Sequence, residues 1–132
     1  MSFDPRSIGT PVYVALKELR GDLSKEDKIA KQQKSQSVEL YTYLSTWGMM
    51  RLKAEEQALG KDMEGKKQVV KKFFECLEYL AQRQDLANAE GLTTLKNLAV
   101  SDYLGLTGLG LAIAQEFSFW TTAIYHDVSG DD

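Results

Sequence analysis

The chain has 132 residues, 43% of them hydrophobic and 27% charged, and its formal net charge is −3. This length suits a single domain, residues 1–132, and this composition argues against a wholly disordered chain. The sequence pI of about 5.2 is far from the strongly basic character of an autonomous nucleic-acid binder.

Charge is unevenly distributed along the chain. All 16 Lys and Arg residues precede residue 97, whereas residues 97–132 contain five acidic residues and no basic one. A cationic surface would therefore come from the first three quarters of the chain. The apolar run at residues 103–114 is shorter than the roughly 20 residues that cross a bilayer. With no secretory leader and one cysteine, a cytoplasmic protein without membrane contact is expected.

The first predicted element is a short helix. Residues 1–9 are expected to form a loose N-terminal arm. Thr10 then supplies a capping hydroxyl, and Pro11 takes the first helical position. This helix is predicted to end near Gly21.

The second predicted element is a long helical stretch. Ser24 and Asp27 resemble a capping box that would begin it, and the helical pattern continues to about Leu59. The first half is nearly all polar and the second half follows an apolar stripe, so a bend is expected at residues 35–37. Trp47 lies on an apolar line of the second half and is predicted to be buried.

A third helix is predicted from Lys66 to about Arg83, after a connection at residues 60–65. Its apolar positions recur at helical spacing and should face the core: Val69, Val70, Phe73, Cys76 or Leu77, and Leu80. A connection at residues 84–91 and a short helix over residues 92–99 are expected to follow.

The last predicted helix, which Ser101 would cap, carries the most apolar segment of the chain. One stripe at helical spacing predicts its core face: Leu106, Leu109, Ile113, Phe117, Trp120 and Ile124. A second line is expected to widen that buried face: Leu104, Leu111, Phe119 and Tyr125. Residues 128–132 are predicted to form a disordered acidic tail.

Three glycines, Gly105, Gly108 and Gly110, lie inside this last helix. Each costs about 1 kcal/mol relative to alanine, which favours a close approach of a neighbouring helix or a local break. A phosphate loop is disfavoured because no strand precedes the glycines and no Walker lysine follows them. Together the predicted segments give an all-α fold, a compact bundle of about five or six helices.

No catalytic residue and no metal site are predicted. Cys76 and His126 could act as thiol and base only with an orienting group, and no family motif surrounds either residue. Cys76 lies among apolar residues typical of a core. Glu75 and Glu78 form an ExxE pair without the ExxH of carboxylate-bridged di-iron bundles. We therefore expect a protein that is not an enzyme and uses no cofactor.

Two lysine clusters are the strongest functional candidates. The predicted nucleic-acid-binding residues are Lys66, Lys67, Lys71, Lys72 and Arg83, followed by Lys25, Lys28 and Lys31. Cations near the start of a helix oppose its dipole, which favours an external anion such as phosphate. If both clusters emerge on one side, they would form a groove for a phosphate backbone that does not read sequence. The alternative is a solvated helical surface in which acids accompany the lysines.

Two aromatic segments carry a family resemblance. YTYLSTWGMMRLK at residues 41–53, and EFSFWTTAIY following YLGLTGLGLAIA at residues 103–125, resemble the small all-helical subunits of type III CRISPR effector complexes. The resemblance covers residues 38–127. It implies a non-catalytic subunit in antiviral defence that stacks along a filament of other effector subunits and contacts guide or target RNA without sequence specificity. The alternative is a helical protein–protein adaptor or homodimer with no nucleic-acid role.

Overall fold

The computed structural model describes residues 6–129, and within this range the fold is all-α with no strand. The α-helices are α1 (Arg6–Arg20), α2 (Lys28–Trp47), α3 (Met49–Ala58), α4 (Glu64–Ala81), α5 (Gly91–Lys96) and α6 (Val100–Ile124), with a short 3-10 helix at Lys61–Met63. The predicted bundle of about five or six helices is confirmed.

Helices α1, α2, α4 and α6 pack around one core. Leu16 on α1, Leu40 on α2, Phe73 on α4 and Phe117 on α6 are all fully buried. The rings of Phe73 and Phe117 meet edge to face, with centroids 6.1 Å apart, a geometry that aromatic quadrupoles favour. Ile113 is also fully buried, so the predicted core stripe of α6 is confirmed at its centre.

The N-terminal prediction is wrong from Arg6 onward, because α1 begins there and Pro11 lies inside the helix. Residues 1–5 of the predicted arm lie outside the described residues. Packing on α6 explains the early start. Gly9 is buried, and a Cβ there would lie 2.8 Å from Glu116 Oε1. The turn that precedes Pro11 therefore contacts α6 closely, and this tertiary contact overrides the local signal for a later start.

The break in the second helical stretch also differs from the prediction. Residues 35–37 continue α2, whereas Gly48, with a φ of 87°, separates α2 from α3. Glycine adopts positive φ without the steric penalty of a side chain, so the chain turns there. Trp47, predicted to be buried, is 53% exposed at the end of α2. Asp27 caps α2 alone, since its carboxylate accepts a hydrogen bond from Ile29 N at 2.7 Å.

A buried lysine holds the connection between α4 and α5. Lys53 on α3 is 1% exposed, and its Nζ donates to Glu56 Oε1 and to the carbonyl of Ala87, both at 2.9 Å. From the other side, Glu78 Oε2 accepts from the backbone N–H groups of Leu86 and Ala87 at 2.8 and 2.9 Å. Because buried charges are costly unless paired, these bonds fix the path of the connection.

Hydrogen bonds from Arg20 on α1 and Lys34 on α2 hold the C-terminal segment in place, and we call this set of bonds the clasp. Arg20 donates to both carboxylate oxygens of Asp127, at 2.5 and 3.0 Å, and to the carbonyl of Ile124 at 2.8 Å. Lys34 Nζ donates to the carbonyl of Val128, whose side chain is only 2% exposed. The predicted tail at residues 128–132 is therefore wrong at Val128, and residues 130–132 lie outside the described range.

Neutralising Asp127 should weaken this clasp in a pH-dependent way. The hydrogen bonds from Arg20 lower the pKa of the Asp127 carboxyl from 3.8 to about 2. Its stabilising contribution is thus present above pH 3.8 and is lost as the pH falls through about 2. We expect Asp127→Asn to lower the melting temperature slightly at neutral pH, with no deficit at the acidic end. Thermal unfolding measured from neutral pH down to about pH 2, with the exposed Glu39→Gln variant as control, tests the clasp. A melting temperature lowered by the same amount at every pH would contradict it.

Two glycines should respond to alanine in opposite directions. At Gly65 a Cβ would lie 2.5 Å from the carbonyl oxygen of Ile29, so α2 and α4 would have to separate. We expect Gly65→Ala to lower the free energy of unfolding by about 1–3 kcal/mol. A Cβ at Gly105 meets nothing within 4 Å, so Gly105→Ala should raise it by about 0.5–1 kcal/mol. Denaturant unfolding of dilute protein measures both; a shift in the same direction would contradict the packing at Gly65.

Candidate nucleic-acid interface

The two lysine clusters originate from helix ends that touch. The first turn of α4 packs on the first turns of α2 at Gly65, whose N–H donates to Gln32 Oε1 at 2.9 Å. The Gln32 amide also donates to the carbonyl of Asp62 at 2.6 Å. One turn further on, Gln33 donates to Gln68 Oε1 at 2.8 Å. The amino-terminal ends of α2 and α4 are therefore neighbours.

Five of the eight predicted nucleic-acid-binding residues lie at this end of the bundle. Lys28 and Lys31 lie in the first turns of α2, and Lys66 and Lys67 lie in the first turn of α4. Lys25 is exposed on the segment just before α2. We call these five lysines the cationic end. Two helix amino termini add their partial positive charge to it, which favours an anion such as phosphate.

Acidic residues share this end and limit its charge. Glu26, Asp62 and Glu64 are exposed, and Asp27 is half-buried. Asp27 is already engaged as the α2 cap. The cationic end thus has a modest excess of positive charge, and exposed acids surround it, as the alternative of a solvated helical surface also predicts.

The remaining predicted residues lie further along α4 among acids. Lys71, together with Lys67 of the cationic end, lines a groove of about 510 Å³ whose walls also include Glu75 and Glu78. Lys72 is paired with Glu75 at 3.6 Å and lies 4.0 Å from Glu18. Carboxylates at these distances compete with phosphate for the ammonium groups. This part of α4 is less suited to nucleic acid than the cationic end.

Arg83 does not join the cationic end. It follows the carboxyl end of α4, in a hollow that also includes Asp85 and Glu78. The 18 residues of α4 put its two ends about 27 Å apart, at 1.5 Å rise per residue. The predicted set of eight residues therefore divides among three places, namely the cationic end, the middle of α4 with Lys71 and Lys72, and the carboxyl end of α4 with Arg83.

Trp47 is an exposed aromatic side chain that the sequence pattern placed in the core. The guanidinium of Arg51 lies 5.0 Å from the centroid of its ring, within cation–π distance. Exposed aromatic faces can stack on nucleic-acid bases or on partner side chains. The signal that could have revealed this position is the glycine that follows it, since Gly48 ends the helix just beyond Trp47.

The outer surface of α6 is a second feature that the pattern missed. Leu104 and Phe119 were expected to widen the buried face, but they are 63% and 60% exposed, and Val100 is 76% exposed. Tyr125 from the same predicted line is fully buried, and its hydroxyl donates to Gln33 Oε1 at 2.7 Å. The second predicted line therefore includes one fully buried residue, Tyr125, and two exposed residues, Leu104 and Phe119.

Close helix approach explains only one of the three glycines in α6. A Cβ at Gly110 would lie 3.3 Å from Met49 Sδ and 3.5 Å from Phe73 Cζ. At Gly105 and Gly108 a Cβ would meet no atom within 4 Å. All three lie within the continuous helix α6, so the alternative of a local break is wrong. Ser101 is not its cap, because α6 begins at Val100.

The thiol and the imidazole are not arranged for nucleophilic chemistry. Cys76 is buried in the core on α4, and burial raises the pKa of its thiol to about 12. His126 is exposed beyond α6, with Nδ1 3.0 Å from the carbonyl of Ala123. Between Arg6 and Ser129, no group of three or more His, Cys, Asp or Glu residues is placed to hold a metal ion.

Comparison with protein-family models, curated proteins and solved structures gives no match for this chain. Of the helices that the structure describes, none combines the length and apolar character needed to cross a membrane.

Cys76 should be unreactive while the chain is folded. At neutral pH a thiol with a pKa of about 12 holds very little thiolate, the nucleophilic form. We expect iodoacetamide to alkylate the native chain at least about a hundredfold more slowly than the urea-unfolded chain. Thr10→Cys, at an exposed position of the same chain, provides a reactive thiol as control. Rapid native alkylation of Cys76 itself would contradict the buried placement.

Proposed function

We propose that this protein is a non-catalytic subunit of an RNA-guided CRISPR effector complex, in which it contacts guide or target RNA without sequence specificity. The observation that supports this proposal most directly is the cationic end, where two helix amino termini adjoin and five lysines lie in their first turns or just before them. The resemblance of the two aromatic segments supplies the class of complex.

The chemistry of the cationic end suits a phosphate backbone. Lysine ammonium groups neutralise phosphates and release condensed counterions, a contribution that depends on salt and not on base identity. The acidic pI of about 5.2 weakens long-range attraction to RNA for the isolated chain. Other effector subunits would then hold the chain beside the RNA, and the lysines would add local contacts to a bound strand.

A helical adaptor or homodimer without a nucleic-acid role is the second candidate. The exposed apolar side chains of α6 favour it, because large exposed apolar patches mark protein contact surfaces. The two functions differ in what the lysines do, since in the adaptor they form a solvated surface only.

Affinity purification of the tagged chain from its native cells distinguishes the two functions. Mass spectrometry identifies the proteins that co-purify, and sequencing identifies the RNA. We expect repeat-derived guide RNA together with larger effector subunits. Recovery of one unrelated protein, or of this chain alone, without RNA would contradict the proposal and favour the adaptor.

Charge reversal tests the cationic end within the purified complex. We expect Lys28→Glu with Lys66→Glu to weaken retention of target RNA and to lower the slope of log K against log salt by about 1.4, or about 0.7 for each lost phosphate contact on a single strand. The matched control, Lys17→Glu with Lys96→Glu, has the same net charge and leaves the cationic end intact. Equal retention and equal salt slopes for the two double variants would rule out this end as the RNA contact.

A further inference from the structure

A groove between α1 and α6 combines an aromatic wall with a carboxylate. Its volume is about 420 Å³, which is within the range of sites that hold small molecules. The residues that line it are Arg6, Gly9, Thr10 and Tyr13 on α1, and Glu116 and Trp120 on α6. Those of α1 recur every three or four positions and those of α6 are one turn apart, so each helix presents one face to the groove.

The aromatic wall of this groove suits a planar ring. Tyr13 is 37% exposed and Trp120 is half-buried, and their rings meet edge to face with centroids 5.2 Å apart. Phe119 also meets the Trp120 ring edge to face, at 5.1 Å. These contacts orient the indole within the folded chain. Nucleobases stack on aromatic side chains of this kind.

Glu116 supplies a hydrogen-bond acceptor beside that wall. Its side chain is half-buried, and its Oε1 accepts a hydrogen bond from Trp120 Nε1 at 3.2 Å. Gly9 makes room for the carboxylate, since a Cβ there would lie 2.8 Å from the same oxygen. A carboxylate offers about four lone-pair sites, so the bond to the indole leaves acceptor capacity on both oxygens.

Two neighbouring acceptor oxygens favour one nucleobase over the others. On its Watson–Crick edge guanine presents two adjacent donors, the ring N–H and the exocyclic amine. Adenine, cytosine and uracil each present a donor next to an acceptor, and an acceptor that faces a carboxylate is left without a hydrogen bond. Guanine is therefore the base that can bond to both oxygens of Glu116 at once.

Arg6 gives the groove a positive charge that suits a phosphate. It is exposed and already has a contact of its own. A guanidinium has five N–H donors, so it can also bond to a phosphate. We propose that the groove binds a guanine nucleotide, whose base stacks on the aromatic wall and donates to Glu116 while its phosphate bonds to Arg6. This site is separate from the RNA contact proposed for the cationic end.

NMR titration of the full-length chain with GMP tests the site. The chain has two tryptophans, and Trp47→Phe assigns their indole N–H signals. The signal of Trp120 should shift with GMP, whereas that of Trp47, which does not line the groove, should stay in place. IMP lacks only the exocyclic amine of GMP and should bind about tenfold more weakly, because one hydrogen bond to a charged acceptor is lost. AMP should bind more weakly still.

Variants separate the roles of the lining residues. Glu116→Gln should abolish the preference for GMP over IMP, because the amide offers one acceptor atom. Arg6→Gln should weaken GMP binding by about fivefold and leave guanosine binding unchanged, because only GMP carries a phosphate. Tyr13→Leu should weaken GMP binding by about fivefold or more. Its matched control, Tyr79→Leu at an exposed aromatic on α4, should have no effect. Circular dichroism verifies that each variant is folded.

Three results would overturn the proposal: no shift of the Trp120 signal at about 10 mM GMP, equal affinities for GMP, IMP and AMP, or a Glu116→Gln variant that still prefers GMP to IMP. A single-stranded oligouridylate with one guanosine identifies the source of the guanine. Tighter binding than GMP assigns the site to a guanosine within a strand, and weaker binding assigns it to a free nucleotide. The Lys28→Glu, Lys66→Glu variant should still bind GMP, so failure of the RNA proposal and failure of this site are separate results.

Discussion

The close contact between α2 and α4 at Gly65 determines how the rest of the molecule is arranged. No side chain fits between Gly65 and the backbone of Ile29, so two helix amino termini lie side by side. Their dipoles and lysines repel one another, and this is an unfavourable arrangement on electrostatic grounds alone. Gln32 offsets part of that cost, because its amide bonds to both Gly65 and Asp62. The same contact creates the cationic end, so the positive charge of this end and its energetic cost have one origin.

Buried polar groups position the elements around that contact. Gln33 is almost fully buried, and its side chain bonds to Leu19, Gln68 and Tyr125. It thereby links the ends of α1 and α6 to the middle of the α2–α4 pair. Lys53 does the same for the connection between α4 and α5. Because an unsatisfied buried polar group costs more than a satisfied one gains, such residues specify one arrangement among many apolar packings.

The molecule presents surfaces of two different kinds. The cationic end is polar and assembled from two helices, whereas the outer surface of α6 exposes the apolar residues Val100, Leu104 and Phe119 and belongs to one helix. The two surfaces are separate because every Lys and Arg precedes residue 97, so that α6 contains no basic residue. These two surfaces on different helices are compatible with the proposed role of a subunit that contacts both a strand and another protein.

Some of this could be predicted from the sequence and some could not. Periodicity identified the helices and the buried centre of α6, because burial of one stripe repeats every 3.6 residues. It failed at Trp47, Leu104 and Phe119, since an apolar residue contributes the same pattern whether or not the fold buries it. Pro11 and Gly48 show that caps and breaks depend on the neighbouring helix and on backbone angles that no local pattern records.

For the candidate site, too, some features could be predicted from the sequence and others required the fold. Lysine clustering was visible in the sequence, but the separation of Arg83 from the cationic end and the pairing of Lys72 with Glu75 required the fold. By itself the sequence determined the fold class, the core stripe of α6 and the segregation of charge, because these depend on which residues recur along a helix. Only the tertiary structure decided which helix ends meet and which apolar faces stay uncovered, because those depend on contacts between residues far apart in the chain.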